Sequence, residues 1–148
     1  MDYFSYKNNK LYCEDVDLQE IAKECGTPCY VYSKKTLERH VEVYKNAFKT
    51  KDSLICFSVK SSSNISILEL INKKGCGFDV VSGGELRRAL HVGADPKKII
   101  FSGVGKSYEE ILLGVQNNIL SFNILSSDED PIVGMLANMK CLCSVRQI

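Results

Sequence analysis

Several absences narrow the field before any motif is read. The chain has no tryptophan, two histidines and three prolines in 148 residues. His40 and His91 both fall inside helical patterns, away from any serine or cysteine in a nucleophile-like setting. A Ser-His-Asp hydrolase and a zinc hydrolase therefore find no support. No apolar run approaches the roughly 20 residues that span a bilayer. The start, Met1-Asp2-Tyr3-Phe4-Ser5, lacks the basic head and apolar stretch of a secretion signal. An excess of one charge is missing too: the formal net charge is +1, with Lys and Glu intermixed. No broad field is left to attract nucleic acid or an anionic membrane. Cysteine is plentiful, but the seven form an odd set without a C-x-x-C pair, and several lie in apolar runs such as Leu54-Ile55-Cys56-Phe57. They read as buried, reduced thiols of a cytoplasmic protein rather than a disulfide frame or metal cluster.

What is present is the composition of an ordinary globular chain, 45% hydrophobic and 25% charged, long enough for one domain with a core. Phe4–Cys13 reads as a hairpin turning at Lys7-Asn8-Asn9-Lys10. Asp17-x-x-Glu20 reads as a capping box for a helix over Leu18–Cys25 that Gly26 closes. Strand and helix then alternate. Cys29–Tyr32 is a candidate strand, and Ser33 caps a helix with Leu37, Val41, Tyr44 and Phe48 on one face. Strands are expected at Leu54–Val59, Phe78–Val81, Ile99–Phe101 and Leu120–Ile124. The helices between them are expected at Ile65–Lys74, Glu85–Val92 and after the capping box Ser107-x-x-Glu110. A repeat of about 22 residues marks a run of βα units on a parallel sheet. A doubly wound sheet and part of an eight-fold barrel both fit, and a complete barrel needs about 250 residues. After Leu125 the texture turns polar, with Asp130-Pro131 opening a last helix and Cys141–Val145 a last strand.

Three segments could carry chemistry. In Phe57-Ser58-Val59-Lys60-Ser61-Ser62-Ser63-Asn64 a lysine stands at the carboxyl end of an apolar parallel strand, the face where α/β proteins act. Partial desolvation there frees an amine for attack on an aldehyde or carbonyl; the bland reading is a strand reaching water. In Gly77-Phe78-Asp79-Val80-Val81-Ser82-Gly83-Gly84-Glu85 a carboxylate interrupts a valine-rich strand, costly unless paired. The Ser82-Gly83-Gly84 step opens a helix whose N-terminus could draw an anion. The bland alternatives are a satisfied strand-end carboxylate and a tight turn. The third, Ile100-Phe101-Ser102-Gly103-Val104-Gly105-Lys106-Ser107, imitates a P-loop, but Ile100 holds the position that the motif gives to its first glycine. A P-loop-like nucleotide-binding protein is thus a remote alternative.

Taken in this order, Phe57–Asn64, Gly77–Leu86 and Phe101–Lys106 resemble diaminopimelate decarboxylase, of the group 2 decarboxylases for ornithine, lysine, arginine and diaminopimelate. Gly26-Thr27-Pro28-Cys29-Tyr30-Val31-Tyr32 is similar to that family's entry segment, and the likeness runs from about Tyr3 to Asn123. The resemblance implies the N-terminal portion of a (β/α)₈ TIM barrel of the alanine-racemase type, preceded by a short β-hairpin. The divisions are 1–25 for hairpin and short helix, 26–125 for a partial pyridoxal-phosphate-binding barrel, and 126–148 for a divergent tail. It implies that Lys60 forms a Schiff base with pyridoxal 5′-phosphate and that Asp79 lines the cofactor pocket. The substrate would be a small amino acid, meso-2,6-diaminopimelate, giving L-lysine and CO₂; the full-length family implies a homodimer. Ser62 replaces a usual asparagine, and Leu125 a usual acidic residue. The later histidine, the triple-glycine phosphate loop, the Glu-Pro-Gly-Arg segment and the β domain are absent. The loss of likeness after Ile124 reads as a truncated or frameshifted chain, inactive alone; the alternative is a non-catalytic remnant or interaction fragment.

Overall fold

The structure, a computed structural model, describes residues 2–49 and 52–124, and the backbone of Leu142–Val145. The chain divides into two compact units, Met1–Thr50 and Lys51–Ile148.

In the first unit, β1 (Phe4–Lys7) and β2 (Lys10–Cys13) pair antiparallel, Phe4 opposite Cys13 and Lys7 opposite Lys10. Asn8 and Asn9 both take positive φ, 50° and 60°. Such a two-residue turn matches the right-handed twist of its strands, and the expected hairpin is formed. A short third strand, β3 (Val16–Asp17), continues the sheet beyond what the sequence pattern suggested. Helix α1 (Leu18–Cys25) starts on Asp17, whose carboxylate accepts from the Gln19 N–H at 2.8 Å. The anticipated capping box is not made, because that oxygen takes an N–H two residues on while the other holds Lys10 at 3.1 Å. Ser33 caps α2 (Lys34–Phe48), accepting from the Thr36 N–H at 3.0 Å. Glu14 adds a second tie to the same helix start. Its Oε1 accepts from the Ser33 hydroxyl at 2.9 Å and the Lys35 N–H at 2.8 Å. Of the expected apolar face of α2, Val41 is buried, whereas Tyr44 and Phe48 are exposed. Cys29–Tyr32, a candidate strand, joins no ladder among the described residues, and Tyr30 is exposed.

The second unit is the βα run. It comprises β4 (Cys56–Ser58), α3 (Ile65–Lys73), β5 (Gly77–Val80), α4 (Gly83–His91), β6 (Ile99–Phe101), α5 (Tyr108–Gln116), β7 (Ser121–Ile124) and β8 (Leu142–Val145). All four ladders are parallel and the order is β4-β5-β6-β7-β8. A doubly wound sheet reverses its strand order at a switch point. Here the order runs one way, as in a barrel, and the two architectures that the pattern left open are separated. The strand ends differ from expectation by a residue or two. The most consequential case is β4, which stops at Ser58 and continues as a single 3₁₀ turn, Val59–Ser61. Helix α4 starts at Gly83, ahead of Glu85, because Ser82 caps it by accepting from the Glu85 N–H at 3.2 Å. The last helix expected after Pro131 lies outside the described residues.

Alternation along the strands sorts the two sheet faces. Phe78, Val80, Ile99, Phe101 and Phe122 are fully or almost fully buried, together with Leu68, Leu86 and Ile111 from the helices. Each such side chain contributes about 1.5–3 kcal/mol on leaving water. Phe101 and Phe122 stack at 5.7 Å between ring centres, a favourable offset geometry. The residues between them, Ser58, Asp79, Ile100 and Ser121, align across the sheet and stay partly open. Among the described cysteines, Cys13 and Cys76 are buried and Cys56 half-buried, but Cys25 and Cys29 are exposed. The expectation of buried thiols therefore holds for only part of the set.

Candidate active site

The second unit places its chemistry-bearing residues at the carboxyl ends of parallel strands. Ser58 is paired with Asp79 across the β4–β5 ladder. Lys60 follows two residues after Ser58, in the 3₁₀ turn, and is exposed. The turn is held from behind: the Ser61 hydroxyl donates to the Ser58 carbonyl at 2.7 Å, and the Ser62 N–H to the Val59 carbonyl at 3.1 Å. Val59, between them, is completely buried and pins the backbone of the turn. Asn64 then caps α3, its Oδ1 accepting from Ser66 at 2.9 Å and Ile67 at 3.3 Å. Lys60 thus follows β4 at the end where Ser58 pairs with Asp79, a carboxylate residue of the neighbouring strand.

That carboxylate is incompletely satisfied. Asp79 Oδ1 and Ser58 Oγ are both buried without a hydrogen-bond partner among the described residues. A buried polar atom left unpaired costs about 1–3 kcal/mol, and these two belong to residues that are register partners across the β4–β5 ladder. Burial first, then the negative charge of Asp79 and the nearby Cys76, push the Cys56 thiol up to about 11. Cys56 is thereby kept a neutral thiol and is no nucleophile at neutral pH.

The start of α4 behaves differently from its sequence pattern. The Gly83 N–H donates to Glu110 Oε1 at 2.7 Å, and the Val81 N–H to Glu85 Oε2 at 2.9 Å. The first N–H of the helix and the N–H just before its cap are thus already served by the chain's own carboxylates. The P-loop resemblance fails for a related reason. Lys106 is buried, 7% exposed, and its ammonium donates to the Gly103 carbonyl at 2.7 Å and the Asn123 carbonyl at 2.8 Å. It faces protein carbonyls, where a P-loop lysine would reach a phosphate. His40 and His91 are exposed helix residues. Among the described residues no group of three or more His, Cys, Asp or Glu is placed to hold a metal ion.

Sequence reasoning singled out Lys60 and Asp79, and the structure sets both at the same end of adjacent strands. It passed over Ser58, a lone hydroxyl residue between Phe57 and Val59 in an otherwise apolar run. It read Glu110 as a local cap and did not find its reach to Gly83, 27 residues earlier, which no spacing rule encodes.

Comparison with known proteins decides the family. Residues 34–142 match the family described as pyridoxal-dependent decarboxylase, pyridoxal binding domain. The chain belongs to that family. It is 49% identical over 137 residues to a diaminopimelate decarboxylase of Haemophilus influenzae, covering 93% of this chain and 33% of that one. It is 45% identical to a diaminopimelate decarboxylase of Vibrio cholerae, covering 87% of this chain and 31% of the relative. Among solved structures, diaminopimelate decarboxylase from M. jannaschii in complex with L-lysine superimposes with a TM-score of 0.92. There the identity is 33%, over 98% of this chain and 36% of that one. The Helicobacter pylori enzyme complexed with L-lysine gives 0.79 at 39% identity, over 87% of this chain and 34% of the other. These neighbours have the TIM-barrel fold, and the parallel sheet here, following an N-terminal hairpin, is the first portion of such a barrel. The chain spans about a third of the length of the curated relatives it matches.

The family's cofactor is pyridoxal phosphate, and the residues present fit part of it. An accessible amine suits its aldehyde, and an unpaired carboxylate oxygen beside an unpaired hydroxyl suits a ligand carrying donors. At the start of α4 the Gly83 N–H is taken by Glu110, and the Val81 N–H before the cap by Glu85, so these two donors are not open to its phosphate. Among the described residues no helix is long and apolar enough to cross a membrane.

Proposed function

We propose that this chain is the cofactor-bearing part of a diaminopimelate decarboxylase, in which Lys60 carries pyridoxal phosphate and Asp79 lines its pocket. The observation that carries the reading is the alignment of Ser58 with Asp79, two buried and unpaired oxygens on the strand ends beside an exposed lysine. It is supported by the names of the relatives at 49% and 45% identity and by two neighbours solved with L-lysine, the product expected of this reaction. The reaction is loss of the carboxylate at the D centre of meso-2,6-diaminopimelate as CO₂, leaving L-lysine. When bound, pyridoxal phosphate supplies a conjugated ring that accepts the electron pair freed as CO₂ leaves. Lys60 supplies the amine that tethers the aldehyde, and the 3₁₀ turn, anchored by buried Val59, fixes the backbone that carries it. Asp79 and Ser58 supply an acceptor and a hydroxyl to the bound group.

The phosphate then needs donors from outside the described residues, in the remaining two thirds of the relatives' length. The chain by itself therefore releases no CO₂, and it acts as the cofactor-bearing share of a longer cytoplasmic enzyme. That enzyme works as a homodimer on a small amino acid, with no nucleic-acid or membrane partner. Within this chain the divisions 1–25, 26–125 and 126–148 serve as hairpin and short helix, partial barrel, and tail.

The test is borohydride trapping. The purified chain is incubated with pyridoxal phosphate, reduced, digested and mapped by mass. The cofactor is expected on Lys60, and Lys60→Ala is expected to abolish specific trapping. Unchanged trapping in that variant overturns the assignment, and CO₂ release by the chain alone overturns the division of labour.

A further inference from the structure

We infer that Glu110 is a positioning residue for the Lys60–Asp79 site, holding the rim loops after β5 and β6 in one arrangement. The inference rests on the proposed role of Lys60 and Asp79.

The carboxylate of Glu110 stands between two helix starts. Its Oε1 accepts from the Gly83 N–H at 2.7 Å and its Oε2 from the Ser107 N–H at 3.1 Å, while its own N–H donates to Ser107 Oγ at 3.2 Å. One side chain thus satisfies orphan donors of α4 and α5 together, at the positive ends of both helices. The fit is close. A Cβ added at Gly83 would lie 3.1 Å from Glu110 Cγ, tighter than ordinary contact. Helix α4 is tied on its other side as well, because Arg88 donates to the Ser63 carbonyl at 3.1 Å, three residues past Lys60. Helix α4 therefore stands between the loop bearing Lys60 and the start of α5. Asp79 lies four residues before Gly83 on the strand that feeds α4. Removing the carboxylate orphans the Gly83 N–H and frees the loop between Asp79 and α4 to shift.

The test uses the whole 148-residue chain and two variants. Glu110→Ala removes both acceptors; Glu110→Gln keeps one, since its amide NH₂ meets the second donor without bonding it. Three quantities are read: amide exchange at Gly83 and Ser107, the unfolding midpoint, and the pyridoxal phosphate concentration giving half-maximal trapping on Lys60. Glu110→Ala is expected to speed exchange at Gly83 roughly tenfold or more and to raise the trapping midpoint severalfold, with Glu110→Gln between it and the native chain in both. A purely structural role would lower the unfolding midpoint and leave trapping by the folded fraction unchanged, and that result overturns the proposal. Native exchange at both Gly83 and Ser107 in either variant overturns it too. If Glu110→Ala does not fold, Glu110→Gln alone decides by the same two readings. Faster exchange without any trapping on Lys60 in the native chain identifies the Lys60 reading as the failure, and the positioning role falls with it.

Discussion

Ser58 and Asp79 face one another across the β4–β5 ladder, and each brings a buried oxygen that no described residue satisfies. Such pairs are unusual in a folded interior, where nearly all buried polar groups are bonded. On the proposed reading, the bound cofactor completes them. The consequence is a trade between stability and binding. Asp79→Asn is expected to leave the free chain about as stable, within about 1 kcal/mol, since no described hydrogen bond to Oδ1 is lost. Ser58→Ala is expected to be near neutral for the same reason. Both should weaken capture of pyridoxal phosphate on Lys60. Urea unfolding and the trapping midpoint measure the two sides. A loss of more than about 2 kcal/mol in either variant would mean that these oxygens are bonded within the chain in solution.

Asp79 also reaches the thiol two residues before Ser58, which yields a prediction in pH. Burial, and after it the charge of Asp79, raise Cys56 from an ordinary 9.0 to about 11. Between about 9 and about 11 the unfolded chain gives up a proton that the folded chain keeps. Stability from this group is therefore full below the lower value and falls as pH rises through the window. The urea midpoint, followed across the window, is expected to decline, and Cys56→Ala to lose part of the decline. Asp79→Asn should flatten it by lowering the folded value. Burial also raises the buried thiol of Cys13, so a residual slope is expected in every variant. An identical slope in Cys56→Ala would show that this thiol titrates as it does when unfolded.

How far the sequence could be read depended on whether the determining interactions were local. The hairpin was legible because paired asparagines encode their own turn, and α5 because Ser107 and Glu110 cap each other within one helical turn. Lys60 and Asp79 were legible because a charge at the end of, or inside, an apolar strand breaks its pattern. Cys29–Tyr32 misled for the converse reason. Its residues suit a strand, but a strand exists only through a neighbour, and none pairs with it among the described residues. The apolar face of α2 misled likewise, since periodicity marks a face without saying that Tyr44 or Phe48 is covered. Lys106 was the deepest misdirection. Its glycine-rich context is local, while the Asn123 carbonyl that claims its amine lies 17 residues on.

Lys106 supports the last prediction, because a buried ammonium serving two carbonyls should hold structure and do no phosphate chemistry. The Gly103 carbonyl that it binds is aimed by a backbone φ of +93°, and a Cβ there would lie 3.2 Å from that of Val81. Only glycine suits this position, so lysine and glycine form one unit at the end of β6. Asn123 closes the arrangement from β7, accepting from Lys106 through its carbonyl at 2.8 Å and donating through Nδ2 to Ser102 Oγ at 2.9 Å. Lys106→Met keeps most of the stem but strands both carbonyls, and should destabilise the chain by about 2–3 kcal/mol in urea unfolding. Nucleotide hydrolysis is expected from neither form. Lys106→Met at native stability would show the two bonds to be energetically idle, and a hydrolysis signal lost with the lysine would restore the P-loop reading.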